Sequence, residues 1–138
     1  MDARRDLPFT SERRVRFHET DAMGVVHHAS YLLYLEDARV DLLRELGRPY
    51  SVLRDIERIE FAVIGIELRY RAPLQFDEVF HLHAGLSEVR RARFSLSYLI
   101  ERDGVPVLDG RTHHAALELG THRPVRVPAW LAGALVAS

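Results

Sequence analysis

The sequence predicts an α+β fold, a curved antiparallel sheet wrapped around one long central helix. Three observations carry that expectation. Apolar residues recur at helical spacing through one stretch, Ala29 to Leu46. Beyond Gly47 and Pro49 the period changes to alternation and holds for four long runs. Short turn-forming segments separate those runs, and consecutive strands joined by short turns favour antiparallel pairing.

The elements follow in order. Residues 1 to 11 read as a loose polar leader. "RRVRFHE", 13 to 19, alternates with Val15 and Phe17 on one side, which predicts a short strand. "TDAMG" carries turn chemistry. In the helix, Tyr31, Leu35, Ala38, Leu42 and Leu46 form the stripe, and Tyr34 and Leu43 widen it. Glu36, Asp37, Arg39, Arg44 and Glu45 lie mostly off it. "YSVLRDIE", 50 to 57, predicts a further helical turn or two.

The first long run, 59 to 74, puts Ala62, Ile64, Ile66, Leu68 and Tyr70 on one face. Phe80, Leu82, Ala84 and Leu86 share a face of the second; Phe94, Leu96, Tyr98 and Ile100 share a face of the third. Residues 105 to 119 form the fourth. Arg102, Asp103 and Gly104 predict a hairpin turn, residues 72 to 78 a loop, and the tail "PAWLAGALVAS" a short helix. The one long helix must bury its stripe, and the sheet is its only large partner. The other sheet face carries His81, His83, Ser87, Ser95 and Ser97, with Val79 and Val89. A partly apolar outer face points to a homodimer or homotetramer.

Composition bounds the function. A chain of 138 residues fits one domain, 1 to 138, and 47% apolar with 28% charged residues describes a soluble globular protein. The net charge of -1 supplies no overall basic field, so nucleic acid is not an expected partner. All 19 basic residues are Arg, which excludes lysine Schiff-base chemistry. With no Cys, disulfides, thiolate nucleophiles and cysteine zinc sites are excluded. No apolar run approaches the roughly 20 residues that span a bilayer. The first residues lack the apolar centre of a signal peptide, so a cytoplasmic location is expected.

The chemistry concentrates in "FHETDAMGVVHHASYLLYLEDAR", 17 to 39. Asp21 admits two readings. One is capping or turn stabilisation, for which Asp is well suited. Asp21 stands about seven residues ahead of the periodic run, however, and Gly24 between them disfavours an early helix start. The other reading is a site. Helix N-termini present unpaired N–H groups and a positive dipole end, donors suited to an oxyanion. Gly24 lets backbone approach a ligand, and a carboxylate on the preceding loop can activate water or attack a carbonyl.

No metal is expected. The pairs His27-His28 and His113-His114 do not chelate easily on extended chain, and His81 with His83 lacks a third ligand at a recognisable spacing. His113 falls in phase with Ala115 and Leu117, which predicts an interior or interface histidine.

The stretch "TDAMGVVHHASYLLYLEDAR" resembles the signature of hotdog-fold acyl-CoA thioesterases, nearest to the hydroxybenzoyl-CoA thioesterase group with its Tol-Pal-associated (YbgC-like) bacterial members. The matching positions are Asp21, Gly24, Val25, Val26, His27, His28 and Tyr31, and the order of elements agrees along nearly the whole chain. The resemblance implies an acyl-CoA substrate hydrolysed to acid and CoA thiol, with no cofactor beyond the CoA of the substrate. It implies that Asp21 is the catalytic carboxylate, nucleophile or general base. The His28 backbone N–H polarises the carbonyl, and Gly24 lies in the loop between them. His27 and Tyr31 fall at substrate-binding positions, His27 standing where many members have Tyr or another aromatic. Glu36 and Arg39 match structural helix positions. "EVRRARFSL", 88 to 96, resembles a basic turn that contacts CoA phosphates in some relatives, with Arg90 and Arg91 as candidates and Arg93 beside them. In hotdog proteins the site commonly sits at a dimer interface. The competing readings are an acyl-thioester hydratase or dehydratase and a non-catalytic acyl-CoA-binding module.

Overall fold

The structure is a computed structural model, and it describes residues 7 to 137. Strand β1 spans Phe9–Arg14, helix α1 Ser30–Glu45 and the short helix α2 Tyr50–Val52, which runs on through a wide helical turn, Leu53–Glu57. Four long strands follow: β2 Ile59–Tyr70, β3 Val79–Val89, β4 Arg93–Arg102 and β5 Val105–Glu118. Helix α3, Ala129–Ala137, closes the chain. The five strands form one antiparallel sheet in the order β1-β3-β4-β5-β2, curved around α1. This is the hotdog arrangement.

The sheet buries α1 because their apolar sets interlock. Tyr31, Tyr34, Leu35, Ala38 and Leu43 of the helix are buried with Phe80, Leu82, Leu96 and Ile100 of the strands. Burying side chains of this size is worth roughly 1.5–3 kcal/mol each. Arg13 pins β1 to the outside of α1, reaching Asp37 at 3.2 Å and Asp41 at 3.0 Å. The β4–β5 turn is the expected hairpin, with Asp103 and Gly104 both at positive φ, 51° and 81°. The tail helix also forms as expected, Trp130 donating to Glu57 Oε1 at 3.0 Å.

Four expectations need correction. The first strand lies earlier than 13 to 19: β1 begins at Phe9 because it pairs with β3, Phe9 opposite Ala84, so residues 7 to 11 are no loose leader. The leader's first six residues lie outside the described ones. Residues 17–19 form a 3-10 turn, which turns Phe17 outward, 77% exposed, away from buried Val15.

In β2 the register shifts between Val63 and Gly65. Phe61 and Leu68 therefore face the core together, and Ala62, Ile64 and Ile66 do not form one continuous stripe. On β5 it is His114, fully buried, that faces the interior; His113 lies on the outer face and bonds Ser95 Oγ at 2.7 Å. Apolar residues stand on both faces of this strand, so its alternation has no unique phase.

The outer face is partly apolar as expected, Val79 and Leu99 standing among its polar side chains, but Val89 is not on it. A bulge between Leu86 and Glu88 carries Val89 to the core side and leaves His81, His83, Glu101, Ser95 and Arg111 outside. Exposed apolar side chains also line β2, one of the two edge strands, at Val63, Ile64, Ile66 and Tyr70.

Candidate active site

Between β1 and α1 the chain makes a compact loop. Thr20 bridges Val26, and Asp21 N–H donates to the Val25 carbonyl at 2.9 Å. The turn closes from Gly24 N–H to the Asp21 carbonyl at 3.0 Å, and Gly24 takes φ +78°, a conformation that favours glycine. Val25 bridges Gln75, and Phe76 N–H donates to the Gly24 carbonyl at 3.0 Å, so the loop is tied to the segment leading into β3.

Asp21 does not cap the helix. Helix α1 starts nine positions later, at Ser30. The Asp21 side chain braces its own turn, Oδ1 accepting Met23 N–H at 2.8 Å. Oδ2 takes no partner among the described residues, and the residue is exposed. The carboxylate is therefore oriented, with one oxygen fixing its direction and the other available to a ligand.

His27 and His28 occupy the approach to the helix. Both rings are exposed and stack at 4.2 Å. His27 Nδ1 accepts Ala29 N–H at 3.1 Å, satisfying one of the backbone donors that open a helix. His28 stands two residues before Ser30 rather than at the first helical position. Its N–H takes no partner among the described residues, while its carbonyl accepts the Tyr70 hydroxyl at 3.3 Å. A vacant N–H at the positive end of a 16-residue helix is a suitable donor for developing negative charge on oxygen.

Tyr31 is buried, with its ring against Tyr70 at 5.5 Å. Burial raises its phenol pKa. Phe17 and Phe76 meet edge to face at 5.6 Å and, with exposed Met23, give the loop an apolar rim.

The structure brings Asp21, Gly24, His27, His28 and Tyr31 into one neighbourhood and leaves Arg90 and Arg91 out of it. They sit in the β3–β4 turn, Arg90 N–H closing it onto the Arg93 carbonyl at 2.7 Å. Arg90 Nε bonds Glu88 at 2.6 Å, and Arg91 is exposed. Tyr70 lies in register with Leu108 and Ile100, whereas the turn ends at Arg93, opposite Ala115. Along β4 those levels are about 23 Å apart at about 3.3 Å per residue. A recess of about 210 Å³ opens there, bounded by Ile64, Arg90, Arg93 and His113. A second groove, about 1270 Å³, lies over the outer face beside Arg69 and Arg111; Asp21 lines neither. Among the described residues no three His, Asp or Glu side chains gather to hold a metal.

Glu19, Tyr34 and Tyr70 belong to the neighbourhood although sequence reading did not single them out as site residues. Tyr70 was legible only as a face residue of its strand. Glu19 carries no periodic signal, and its partner Tyr34 is fifteen residues away.

Comparison with known proteins identifies relatives of this chain. Residues 15–135 match the family model of the thioesterase-like superfamily. A putative esterase of Aquifex aeolicus is 40% identical over 114 residues, 83% of this chain and 88% of that protein. The acyl-CoA thioesterase YbgC of Haemophilus influenzae is 29% identical over 89% of this chain and 90% of its own length. The crystal structure of a hypothetical protein from Aquifex aeolicus superposes with a TM-score of 0.86 at 37% identity, covering 93% of this chain and 99% of that one.

Proposed function

The chain belongs to the thioesterase-like superfamily, and from that premise we propose that it hydrolyses acyl-CoA thioesters to a free carboxylic acid and CoA thiol. The observation that carries this reading is the Asp21 carboxylate. One oxygen is fixed by Met23 N–H and the other is vacant, on a loop that leads directly to the unpaired His28 N–H.

The Asp21 oxygen either attacks the thioester carbon, expelling CoA thiolate and leaving a mixed anhydride for water to cleave, or takes a proton from an attacking water. In both routes the carbonyl oxygen gains charge, and the His28 N–H with the α1 dipole offsets it. His27 and Tyr31, with the Phe17–Phe76 rim, supply the acyl side. At the Asp21 loop neither His27 nor His28 pairs with a carboxylate among the described residues, which disfavours a hydratase there; the histidines that do, His83 with Glu101 at 3.4 Å among them, lie elsewhere on the sheet.

The working unit is a homo-oligomer built on β2. Antiparallel pairing of two β2 edges about their middle would bring the Arg90–Arg93 turn of one copy beside the Asp21 loop of the other, since the two lie at opposite ends of one chain's sheet. Exposed Val63, Ile64 and Ile66 support that contact. Arg90 and Arg91 then meet the CoA phosphates of the neighbouring site. No helix among the described residues is long and apolar enough to cross a membrane, which suits a cytoplasmic enzyme of CoA esters.

A panel of acyl-CoA thioesters, aliphatic chains of graded length plus aromatic acyl groups, tests the reading by thiol release. Turnover with at least one class, yielding acid and CoA in equal amounts, is expected. Tight binding of every ester without thiol release, or addition of water to an enoyl-CoA with the thioester intact, would contradict it.

A further inference from the structure

Glu19 sits where the three pieces of the site meet. Its carboxylate Oε1 accepts the Tyr34 hydroxyl at 2.8 Å from within α1, and the Arg16 N–H at 2.7 Å from the start of the 3-10 turn. Its carbonyl oxygen accepts the His27 N–H at 2.9 Å and the Ser30 hydroxyl at 3.1 Å. Asp21 lies two residues after Glu19, and His28 follows directly on His27. The loop that carries the carboxylate and the helix that follows the vacant N–H thus meet at Glu19, whose carbonyl holds the helix start and whose carboxylate holds the helix body at Tyr34.

Tyr34 is a stiff anchor for that strut. It is buried, its ring 4.9 Å from Phe80 of β3 and 6.0 Å from Tyr31. Its hydroxyl is held protonated as the donor: burial, then the bond to Glu19, pushes its pKa up.

We propose that Glu19, held by Tyr34, is the positioning residue of this site, setting the separation and angle between the Asp21 carboxylate and the His28 N–H. Glu19 touches no reacting atom. The loop keeps its own internal bonds without it, from Thr20–Val26 to Gly24–Asp21. What is lost with the side chain is the tie to Tyr34 in the body of α1 and to Arg16 N–H, which sets the angle of the loop; the carbonyl bonds to His27 and Ser30 stay. Misplacement of a reacting group by about 1 Å costs on the order of 100-fold in rate. The effect falls on the chemical step, since none of the residues named for the acyl or CoA portions changes.

This inference rests on the thioesterase reading, so the test runs Asp21→Asn alongside. Steady-state thiol release is measured on the best thioester for Glu19→Ala, Glu19→Gln, Tyr34→Phe and Tyr98→Phe, with thermal unfolding of each. Glu19→Ala is expected to lower kcat about 100-fold and Tyr34→Phe about 10-fold, with KM within about two-fold. Glu19→Gln, which keeps the acceptor oxygen, is expected within about three-fold of the unmodified protein. Tyr98→Phe removes a buried hydroxyl from a bond of 2.7 Å to Thr112, away from the loop. It is expected to lower the melting temperature about as much as Tyr34→Phe while leaving kcat unchanged. If Glu19→Ala does not fold, Tyr34→Phe, which deletes only one oxygen, carries the test. Unchanged kcat in Tyr34→Phe, a rise in KM alone, or an equal loss in Tyr98→Phe overturns the positioning role, provided Asp21→Asn is inactive. Turnover by Asp21→Asn overturns the reading beneath it.

Discussion

At the scale of single residues, the site depends on a few backbone and side-chain choices that leave no slack. Gly24 is the clearest. A Cβ there meets nothing within 4 Å, so the whole cost of a side chain is its backbone angle. Gly24→Ala should therefore destabilise by about 1 kcal/mol, a fall in melting temperature of about 3 °C. Its turnover should fall further than that loss explains, because the turn also aims the Asp21 carboxylate. Thermal unfolding and kcat on one sample check both. The Asp21–Gly24 turn was legible because it belongs to a contiguous motif in which spacing itself carries information. Glu19 was not. Its role is defined by Tyr34, His27 and Ser30, and no local pattern announces a hydrogen bond across fifteen residues.

At the scale of elements, α1 was readable because a wide apolar stripe leaves a helix one way to face, and the four long strands because alternation and turns agree. The misreadings fall where tertiary pairing decides. β1 is fixed by its ladder with β3 and not by its own pattern, and the bulges in β2 and β3 shift side chains between faces midway along a run. The same ambiguity hid His114 in β5. It stacks on Phe94 at 5.0 Å, and its Nε2 bonds Thr112 Oγ1 at 2.8 Å. Burial, then the Arg39 charge and His113, hold its pKa down to about 3. The unfolded chain protonates this group near its ordinary pKa of about 6.5 while the folded protein does not. Its neutral form therefore supports the fold fully above about pH 6.5, and stability drains as pH falls from there toward 3, by at most about 1.4 kcal/mol per unit. Urea unfolding at pH 7 and pH 5 should show the unmodified protein losing about 2 kcal/mol more than His114→Gln over that interval. Parallel losses would remove His114 from the explanation.

At the scale of the whole molecule, the free edge of β2 is the feature that asks for a partner. An exposed edge strand bearing Val63, Ile64 and Ile66 is a template for another chain unless something covers it. The sequence pointed to self-association through a partly apolar outer face; the β2 edge supplies a second reason. Light scattering should give a dimer or a multiple of it. Ile66→Arg, which sets a charge at the middle of the edge, should shift the mass toward monomer and cut thiol release at least about 10-fold, because in the proposed assembly the partner's Arg90 and Arg91 would leave the site. A monomeric unmodified protein with full turnover would separate assembly from activity.

One measurement bears on all three scales: thiol release by Asp21→Asn on the best thioester, compared with the unmodified protein at matched fold and mass. Asparagine keeps an oxygen for the Met23 N–H, so the turn should survive. Turnover should fall on the order of 1000-fold, since the amide can neither attack the carbonyl nor take a proton from water. Near-normal turnover in a folded, correctly assembled Asp21→Asn protein would contradict the assignment of Asp21 as the reacting carboxylate.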